Sequence, residues 1–391
     1  MTNILNLFPE TPVRETWNWL TDIMSTKNGT ESRLSLRPTP RTTMTLSWAG
    51  IDQTERNTFV ELIARDLMLP STVPVWPFAA RVTALASSGA TKVFFDPVRA
   101  QISDGGRIVF FNPYTRVAIE GVVTTMDADG ANLSAPLGID ITTDFFTIKG
   151  ITGLLANGQG FRWDAMAGSV SAQVSSWIEN DVIRTNNAVT LTTLDSLPIL
   201  ERTFQAGVDE NYTFPREVDD NKTGLRTISS RYLRANISGT RKFRVERGYG
   251  NEADYDYWTV LMDWCRGSWK PFLISSQLAD MTLDTALSQG GTTMVINETY
   301  SDELFHAFTA YTHFEILYTD GTKSSHTITN SVDGGGTVIV TFSPALPVDP
   351  KVANVTRISY LLKARMSDQI SWRHYPLESE VSFDIITTDN G

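Results

Sequence analysis

Residue types that build catalytic and metal sites are scarce in this chain. It has 391 residues but one cysteine, Cys265, which excludes an intrachain disulfide framework and a cysteine-based metal cluster within one chain. Because Cys265 lies among apolar neighbours in WTVLMDWCRG, we expect a buried, inert thiol. The four histidines, His306, His313, His326 and His374, all lie in the second half. They lack the i, i+4 spacing of a zinc hydrolase, so we expect structural or surface roles.

Long hydrophobic runs and an excess of positive charge are also absent. The longest apolar runs, such as RIVFF and VIVTF, are far shorter than the ~20 residues with which a helix spans a bilayer. The N-terminal stretch MTNILNLFPETPVRETWNWL lacks the pattern of a secretory signal peptide, so we expect synthesis and folding in a cytoplasm. The net charge of −11 disfavours stable nucleic-acid binding, although an acidic surface would let DNA slide past without sticking.

No motif for catalysis or nucleotide binding occurs. The chain has no Gly-x-x-x-x-Gly-Lys-Ser/Thr loop and no Gly-x-Ser-x-Gly elbow. Two facing carboxylates could form a glycosidase site, but Asp and Glu concentrate in turns such as DADG and VDGGG and at helix starts, where the local backbone explains them. We therefore expect no enzyme activity, no catalytic or metal-binding residue and no cofactor.

The ten tryptophans could suggest sugar stacking. Most of them lie at helix or strand positions where burial is expected, so we predict that they pack in the core. The set considered is Trp17, Trp19, Trp76, Trp258, Trp264 and Trp269.

A repeated order of elements is the main positive feature of the sequence. The stretches KNGTESRLSLRPTPRTTMTLSW, from Lys27 to Trp48, and NKTGLRTISSRYLRANISGTRKFRVERG, from Asn221 to Gly248, both begin with a turn and end in strand-like alternation. A helix is predicted after each of them, in ERNTFVELIARDLML and in NEADYDYWTVLMDWCRG. The segments VPVWPF and KPFLI then predict short strands containing proline, the first of them at a sheet edge.

The two predicted helices rest on apolar spacing of three and four residues. The first runs from Glu55 to Leu69, with its apolar face and its terminating proline at Phe59, Leu62, Ile63, Leu67 and Pro70. The second has Tyr257, Leu261 and Trp264 on one face, and Gly267 is placed to cap its end.

A β-rich insert follows each of these units. Short strands separated by DGG, DADG, DGT and DGGG predict a small antiparallel barrel or sandwich, closing with SAPL in the first half and SPAL in the second. The predicted fold is mainly β with a few helices: two duplicated β-sandwich units, each with one flanking helix and one inserted small barrel or sandwich. The predicted boundaries are 1–78 plus 161–181 for the first unit, 79–160 for its insert, 182–200 for a linker, 201–277 plus 363–391 for the second unit and 278–362 for its insert.

Arginines concentrate in the repeated hairpins of an otherwise acidic chain. Because complementary charge sets the orientation of subunits, we expect these residues at subunit contacts. A solvated strand face is the alternative. The candidates are Arg33, Arg37, Arg41, Arg226, Arg231, Arg234, Arg241 and Arg244.

This order of turn, arginine-bearing hairpin, helix and proline-containing strand resembles the tail-tip proteins of long-tailed bacteriophages, above all the distal tail and baseplate hub proteins. FPREVDDNKTGLRTISSRYLRANISGTRKFRVERGYGNEADYDYWTVLMDWCRGSWKPFLI contains most of the likeness. The resemblance implies tail-tube-like units in a structural virion protein at the tail tip. Such a protein would join the tail tube to the distal tip or fibres and line the DNA ejection channel.

The resemblance also implies partners. These are further copies of the chain, the tail tube protein, hub, tip or fibre proteins, and DNA in transient, non-specific passage. Three chains could form a pseudo-sixfold ring, or six chains could stack their units in two layers. A receptor- or carbohydrate-binding tail protein is the alternative function, suggested by the aromatic stretch FHAFTAYTHFEILY of the second insert.

Overall fold

The computed structural model describes most of the chain, with gaps. The described residues are 4, 9–25, 31–57, 60, 71–155, 160–163, 168–176, 189–205, 210–213, 216–220, 222, 224, 226–230, 236–246, 252–297, 302, 305, 311–349, 354–376 and 378–388. Strands dominate them, which confirms the predicted mainly β fold class with few helices.

The described part of the N-terminal half consists of short and medium strands, two short helical turns and the helical residues 53–57. The strands are β1 (Val13–Asn18), β2 (Thr21–Ser25), β3 (Glu31–Ser35), β4 (Arg41–Ile51), β5 (Ser71–Pro74), β6 (Ala80–Ala84), β7 (Lys92–Phe95), β8 (Arg107–Phe111), β9 (Ala118–Asp127), β10 (Gly130–Leu133), β11 (Phe146–Leu155), β12 (Gly160–Trp163) and β13 (Gly168–Ser176). A 3-10 turn covers Trp76–Phe78, and a four-residue helix covers Pro97–Ala100.

The C-terminal half contains one longer helix, Glu252–Cys265, which we call the flanking helix. Its strands are β14 (Thr193–Leu194), β15 (Leu197–Leu200), β16 (Asn211–Thr213), β17 (Arg216–Asp220), β18 (Arg226–Ser230), β19 (Asn236–Glu246), β20 (Phe272–Ser275), β21 (Thr293–Ile296), β22 (His313–Tyr318), β23 (Lys323–Asp333), β24 (Val338–Ser343), β25 (Val355–His374) and β26 (Glu378–Thr387).

The same pattern of strand pairing occurs in both inserts. In the first, β6 pairs with β7, β7 with β10, β10 with β9, β9 with β8, β8 with β11 and β11 with β6, which closes a six-stranded barrel. In the second, β21, β24, β23, β22 and β25 pair in the same order. Bridges from Met281 to Ile358 and from Leu283 to Ile296 complete this second circuit.

The remaining strands form a sheet in each half, again with matching pairs. The first half pairs β1 with β4, β4 with β13, and β13 with β11 and β12. The second pairs β16 with β19, β19 with β26 and β26 with β25. Two hairpins, β2 with β3 and β17 with β18, extend from equivalent places. The repeated order predicted from sequence therefore corresponds to repeated strand pairing.

The flanking helix packs one face on the second sheet. Tyr257, Trp258 and Leu261 are buried, and the rings of Trp258 and Phe243 lie 4.6 Å apart. Trp264 was expected on this face, but 37% of it is exposed, so that prediction is wrong. Instead, its ring lies 4.3 Å from Lys270 Nζ, because the helix ends one residue later.

The first predicted helix is described only in part. Residues 53–57 are helical, and they begin with a capping box in which Asp52 Oδ1 accepts from the Glu55 amide while Glu55 Oε2 accepts from the Asp52 amide. The predicted apolar face and terminating proline lie outside the described residues.

Part of the predicted linker, 182–200, is ordered β structure. Residues 193–200 contain β14 and β15, and β15 runs parallel to β20. The Tyr257 hydroxyl donates to the Ile199 carbonyl over 3.1 Å and accepts from the Glu201 amide over 3.0 Å. This part of the linker is therefore tied to the second half.

Most of the tryptophans considered lie in the core, as predicted. Trp17, Trp19, Trp76 and Trp258 each expose 7% or less of their surface. The first barrel has its own apolar cluster around Phe95.

Candidate interaction site

Strand β1 joins the sheets of the two halves. One side of it pairs with β4, and the other pairs with β25, from Val13 opposite His374 to Asn18 opposite Gln369. We call this contact the junction. The rings of Trp17 and Trp372 meet across it with centroids 5.4 Å apart. Such buried aromatic pairs add about 0.5–1.5 kcal/mol beyond the burial of their area.

A buried polar network crosses the junction. His374 Nε2 lies 2.8 Å from Glu15 Oε2, and His374 Nδ1 lies 2.9 Å from Ser379 Oγ. Trp17 Nε1 donates to Glu15 Oε1 over 2.7 Å. A neutral imidazole with its proton on Nε2 satisfies both neighbours, because Nδ1 then accepts from the Ser379 hydroxyl.

These residue types are those of a serine hydrolase, but their arrangement is different. In a hydrolase the carboxylate contacts Nδ1 and the serine contacts Nε2, whereas here the two partners are exchanged. Glu15 exposes 7% of its surface, and His374 and Ser379 expose 1% each. A substrate therefore has no access, and the network holds β1, β25 and β26 together. His374 has the structural role that the sequence predicted.

Asp368 fixes the base of the first hairpin at a bulge in β25. The bulge lies between Met366 and Ile370. The Asp368 carboxylate accepts from the amides of Thr21 and Ser268 over 2.9 and 2.8 Å, and from the Thr21 hydroxyl over 3.0 Å. The hairpin base and the end of the flanking helix therefore meet at one carboxylate.

Gly267 allows this close approach. Its φ is +67°, and a Cβ there would lie 2.5 Å from Asp368 Oδ1 and 2.8 Å from Trp19 Cβ. A side chain at this position would collide with the junction, so the predicted helix cap is also a packing requirement.

In the second half, β16 occupies the position that β1 has in the first. All three of its residues are exposed, and Tyr212 retains 54% of its surface. The Tyr212 hydroxyl donates to Glu210 Oε2 over 3.1 Å, and Glu210 Oε1 lies 2.6 Å from Arg241 Nη2. The Arg241 guanidinium lies over the ring of Phe204 at 5.4 Å.

The outer face of the β2–β3 hairpin is largely apolar, with the exposed Asp22 and Ser32 among its apolar side chains. Alternate residues point away from the body of the protein, and four of them are exposed hydrophobic side chains. We call this set the apolar stripe: Leu20, Met24, Leu34 and Leu36. The alternation of polar residues with Leu34 and Leu36 in SRLSL was the sequence signal for part of it.

The inner face of the same hairpin is charged. Glu31 Oε2 lies 3.4 Å from Arg33 Nε and 3.3 Å from Arg365 Nε. Burial holds the pKa of Arg33 below its usual value, and burial also lowers the pKa of nearby Lys363. Only 6% of the Arg33 side chain is exposed, so this arginine lies against its own chain.

The eight arginines predicted at subunit contacts do not form one group. Arg241 is also buried in its own chain, and burial lowers its pKa. Arg244 is 65% exposed at its side chain and pairs with Glu378 over 2.7 Å. Arg41 is exposed, and Arg37 is half-buried.

The second hairpin is described mainly as backbone. Arg226 lies opposite Asp220 in the β17–β18 pair, while Arg231 and Arg234 lie outside the described residues. The subunit-contact role of the eight arginines stays a prediction. The buried positions of Arg33 and Arg241 place those two guanidinium groups away from the free surface.

The other histidines and the cysteine are structural where they are described. His326 is buried, and its ring nitrogens contact the Pro344 carbonyl and Ser324 Oγ, both over 2.8 Å. His313 Nε2 contacts Asp195 over 3.0 Å. His306 lies outside the described residues. Cys265 is buried as predicted, and burial raises the pKa of its thiol.

The buried carboxylate of the second barrel is paired with cations. Glu315 exposes 1% of its surface and contacts Lys323 Nζ over 3.1 Å and the Ser275 hydroxyl over 2.6 Å. Arg357 Nη2 lies 3.7 Å from the same carboxylate. The arrangement is an internal ion pair and does not match the two facing carboxylates of a glycosidase.

In the described part of the chain, no group of three or more His, Cys, Asp or Glu side chains could hold a metal ion. None of the described helices is long and apolar enough to cross a membrane. No protein-family model matches the chain, and no curated protein matches it either.

Proposed function

We propose that the chain is a structural protein of a bacteriophage tail tip. In this role it forms a distal tail or hub ring that joins the tail tube to the distal tip or fibres and surrounds the DNA ejection channel. The observation that supports this most is the junction, because it sets two equivalent halves side by side in one sheet. Repeated units that contact one another head to tail are what a closed ring requires.

The junction also favours one of the two assemblies. Halves that share a sheet within one chain lie in the same layer, so three chains supply six equivalent positions around a ring. The arrangement of six chains with their units stacked in two layers is less compatible with this shared sheet.

Charge and surface chemistry agree with the proposal. A net charge of −11 would repel DNA from the wall of a channel and let it pass without binding. The apolar stripe offers a contact for a neighbouring protein, such as an adjacent copy or the tail tube protein. The role needs no catalysis and no cofactor.

Electron microscopy of the purified full chain at rising concentration tests the proposal. We expect closed rings of threefold or sixfold symmetry with a central opening. A protein that stays monomeric at every concentration, with tail tube protein added as well as without it, or that forms particles without an opening, would contradict it.

A pair of matched variants tests the apolar stripe within the same experiment. Leu34→Asp places a charge in the stripe, where 56% of the leucine is exposed, and Val348→Asp places one on the second barrel, where 85% of the valine is exposed. Both variants should fold with stability within about 0.5 kcal/mol of the parent. Only Leu34→Asp should weaken assembly, and equal assembly of the two variants would contradict this role of the stripe.

A further inference from the structure

Strands β1 and β16 occupy equivalent places in the chain. Two residues separate β1 from β2, and two separate β16 from β17. Five residues separate β3 from β4, and five separate β18 from β19. This alignment places Tyr212 at the position of Trp17, and Glu210 at the position of Glu15. The two positions also share a side-chain hydrogen bond. Trp17 Nε1 donates to the Glu15 carboxylate, and the Tyr212 hydroxyl donates to the Glu210 carboxylate.

Strand β12 is equivalent to the last part of β25. Phe161 of β12 lies opposite Val170 of β13, and Trp372 of β25 lies opposite Val381 of β26. Val170 and Val381 in turn face the eighth residue of β4 and of β19 respectively. The segments GFRW and SWRH therefore align, with arginine third in both.

The junction is thus a contact between a strand of the β1 type and a strand of the β12 type. Within one chain this contact forms once, between β1 and the end of β25. The other two strands, β16 and β12, lie at opposite ends of the joined sheet. Among the described residues β16 pairs with β19 alone and β12 with β13 alone. Within that part of the chain, each strand presents an edge that can accept a further strand.

We propose that β16 of one copy pairs with β12 of a second copy and so repeats the junction between chains. The strands run antiparallel. Thr16 lies opposite Ser371 in the junction, so Asn211 lies opposite Gly160 of the second copy and Glu210 lies opposite its Phe161. The exposed ring of Tyr212 then takes the place that Trp17 has at the junction. This inference rests on the proposed ring, since two unlike edges give a head-to-tail contact that closes only into a ring or extends as a filament.

Cysteine cross-linking of the full chain tests this register. Opposed residues of antiparallel strands bring their Cβ atoms within the range of a disulfide, and the native Cys265 is buried. The variant Asn211→Cys with Gly160→Cys should give cross-linked multimers on a non-reducing denaturing gel after mild oxidation. The matched control is Asn211→Cys with Ser88→Cys, whose second cysteine replaces an exposed serine on the first barrel, and it should stay a single chain.

A second test adds Tyr212→Asp to the double-cysteine variant Asn211→Cys with Gly160→Cys. A charge at this exposed edge position should lower the yield of multimers by about tenfold or more, while circular dichroism stays unchanged. Equal cross-linking in both cysteine pairs, or no effect of the aspartate, would overturn the proposed pairing.

The failures of the two proposals are distinguishable by imaging the same samples. Rings that form without Asn211/Gly160 cross-linking would overturn the pairing and leave the tail-tip function standing. Cross-linked open filaments would support the pairing and contradict the ring. A chain that neither assembles nor cross-links would overturn both, and assembly only after addition of a tail tube protein would assign the edge to that partner instead.

Discussion

Strands β1 and β16 show how equivalent positions in two halves of one chain take different surroundings. Strand β1 lies between two strands, with Trp17 at 1% exposure, whereas within the described part of the chain β16 pairs with β19 alone and leaves Tyr212 at 54%. The two aromatic residues suit these places. Tryptophan fills a closed contact, while tyrosine keeps a hydroxyl that water can solvate and still offers a ring to a partner.

The paired carboxylates differ in the same way. Glu15 contacts His374 of the other half, while Glu210 contacts Arg241 of its own half. In the first sheet the position of Arg241 is occupied by the buried Leu46. The exposed edge therefore neutralises its carboxylate locally, whereas the closed junction relies on a residue from across the contact.

Truncation of the two aromatic residues tests this difference most strongly. Trp17→Ala should lower the free energy of unfolding by about 3–5 kcal/mol, because it removes a large side chain from a closed contact. Tyr212→Ala, its matched control, should cost less than about 0.5 kcal/mol in dilute single chains. Denaturant unfolding followed by circular dichroism measures both, and similar losses in the two variants would show that the edges do not differ.

A smaller effect is expected at the base of the first hairpin. Asp368→Ala removes three hydrogen bonds to a charged group and should cost about 2–3 kcal/mol. Asp384→Ala is the control, because among the described side chains this exposed carboxylate accepts from the Thr240 hydroxyl alone. Amide hydrogen exchange should speed up at Thr21 and Ser268 in the first variant only. Unchanged exchange there would contradict the role of Asp368.

The smallest expected effect is a pH dependence of stability that comes from His326 in the second barrel. Burial lowers the pKa of His326, so protonation favours the unfolded chain. The stabilising contribution of the neutral ring is complete above the usual histidine pKa of about 6.5 and is lost as the pH falls through the lower, folded-state value.

The variant His326→Phe removes this titration and keeps a ring against Phe314 and Phe342. Below pH 6.5 the free energy of unfolding of the parent should fall relative to that of the variant, by no more than about 1.4 kcal/mol per pH unit. Unfolding curves at pH 7.5, 6 and 5 measure it. A difference that stays constant across this range would show that His326 does not titrate on unfolding.

The architecture was predictable because its signals are local. Turns such as DGG and DGGG divide the inserts into strands of the right length, and the order of hairpin, helix and short strand recurs in both halves. The burial of Cys265 and of most tryptophans followed from their apolar neighbours. Trp264 was placed wrongly, because apolar spacing predicts a helix face and does not show how much of each side chain on that face is covered.

The contacts that connect the halves were not predictable, because their partners are distant in sequence. Glu15 and His374 are 359 positions apart, and neither belongs to a local motif. The burial of Arg33 and Arg241 against their own chain was not predictable from the arginine spacing, because it depends on partners such as Glu210 and the ring of Phe204 around Arg241. Alternation in SRLSL indicates part of the apolar stripe, whereas in LTDIM the charged Asp22 shares the outer face and hides the pattern.

Strand β25 is continuous over 20 residues, or about 65 Å of extended chain. Its first part is a strand of the second barrel and pairs with β22, and its last part pairs with β1 at the junction. A force applied to that barrel along the strand is therefore transmitted to the junction through the covalent backbone of β25. There it acts in shear on all the pairs between β25 and β1 together, so mechanical load on the insert is resisted by the whole ladder at once.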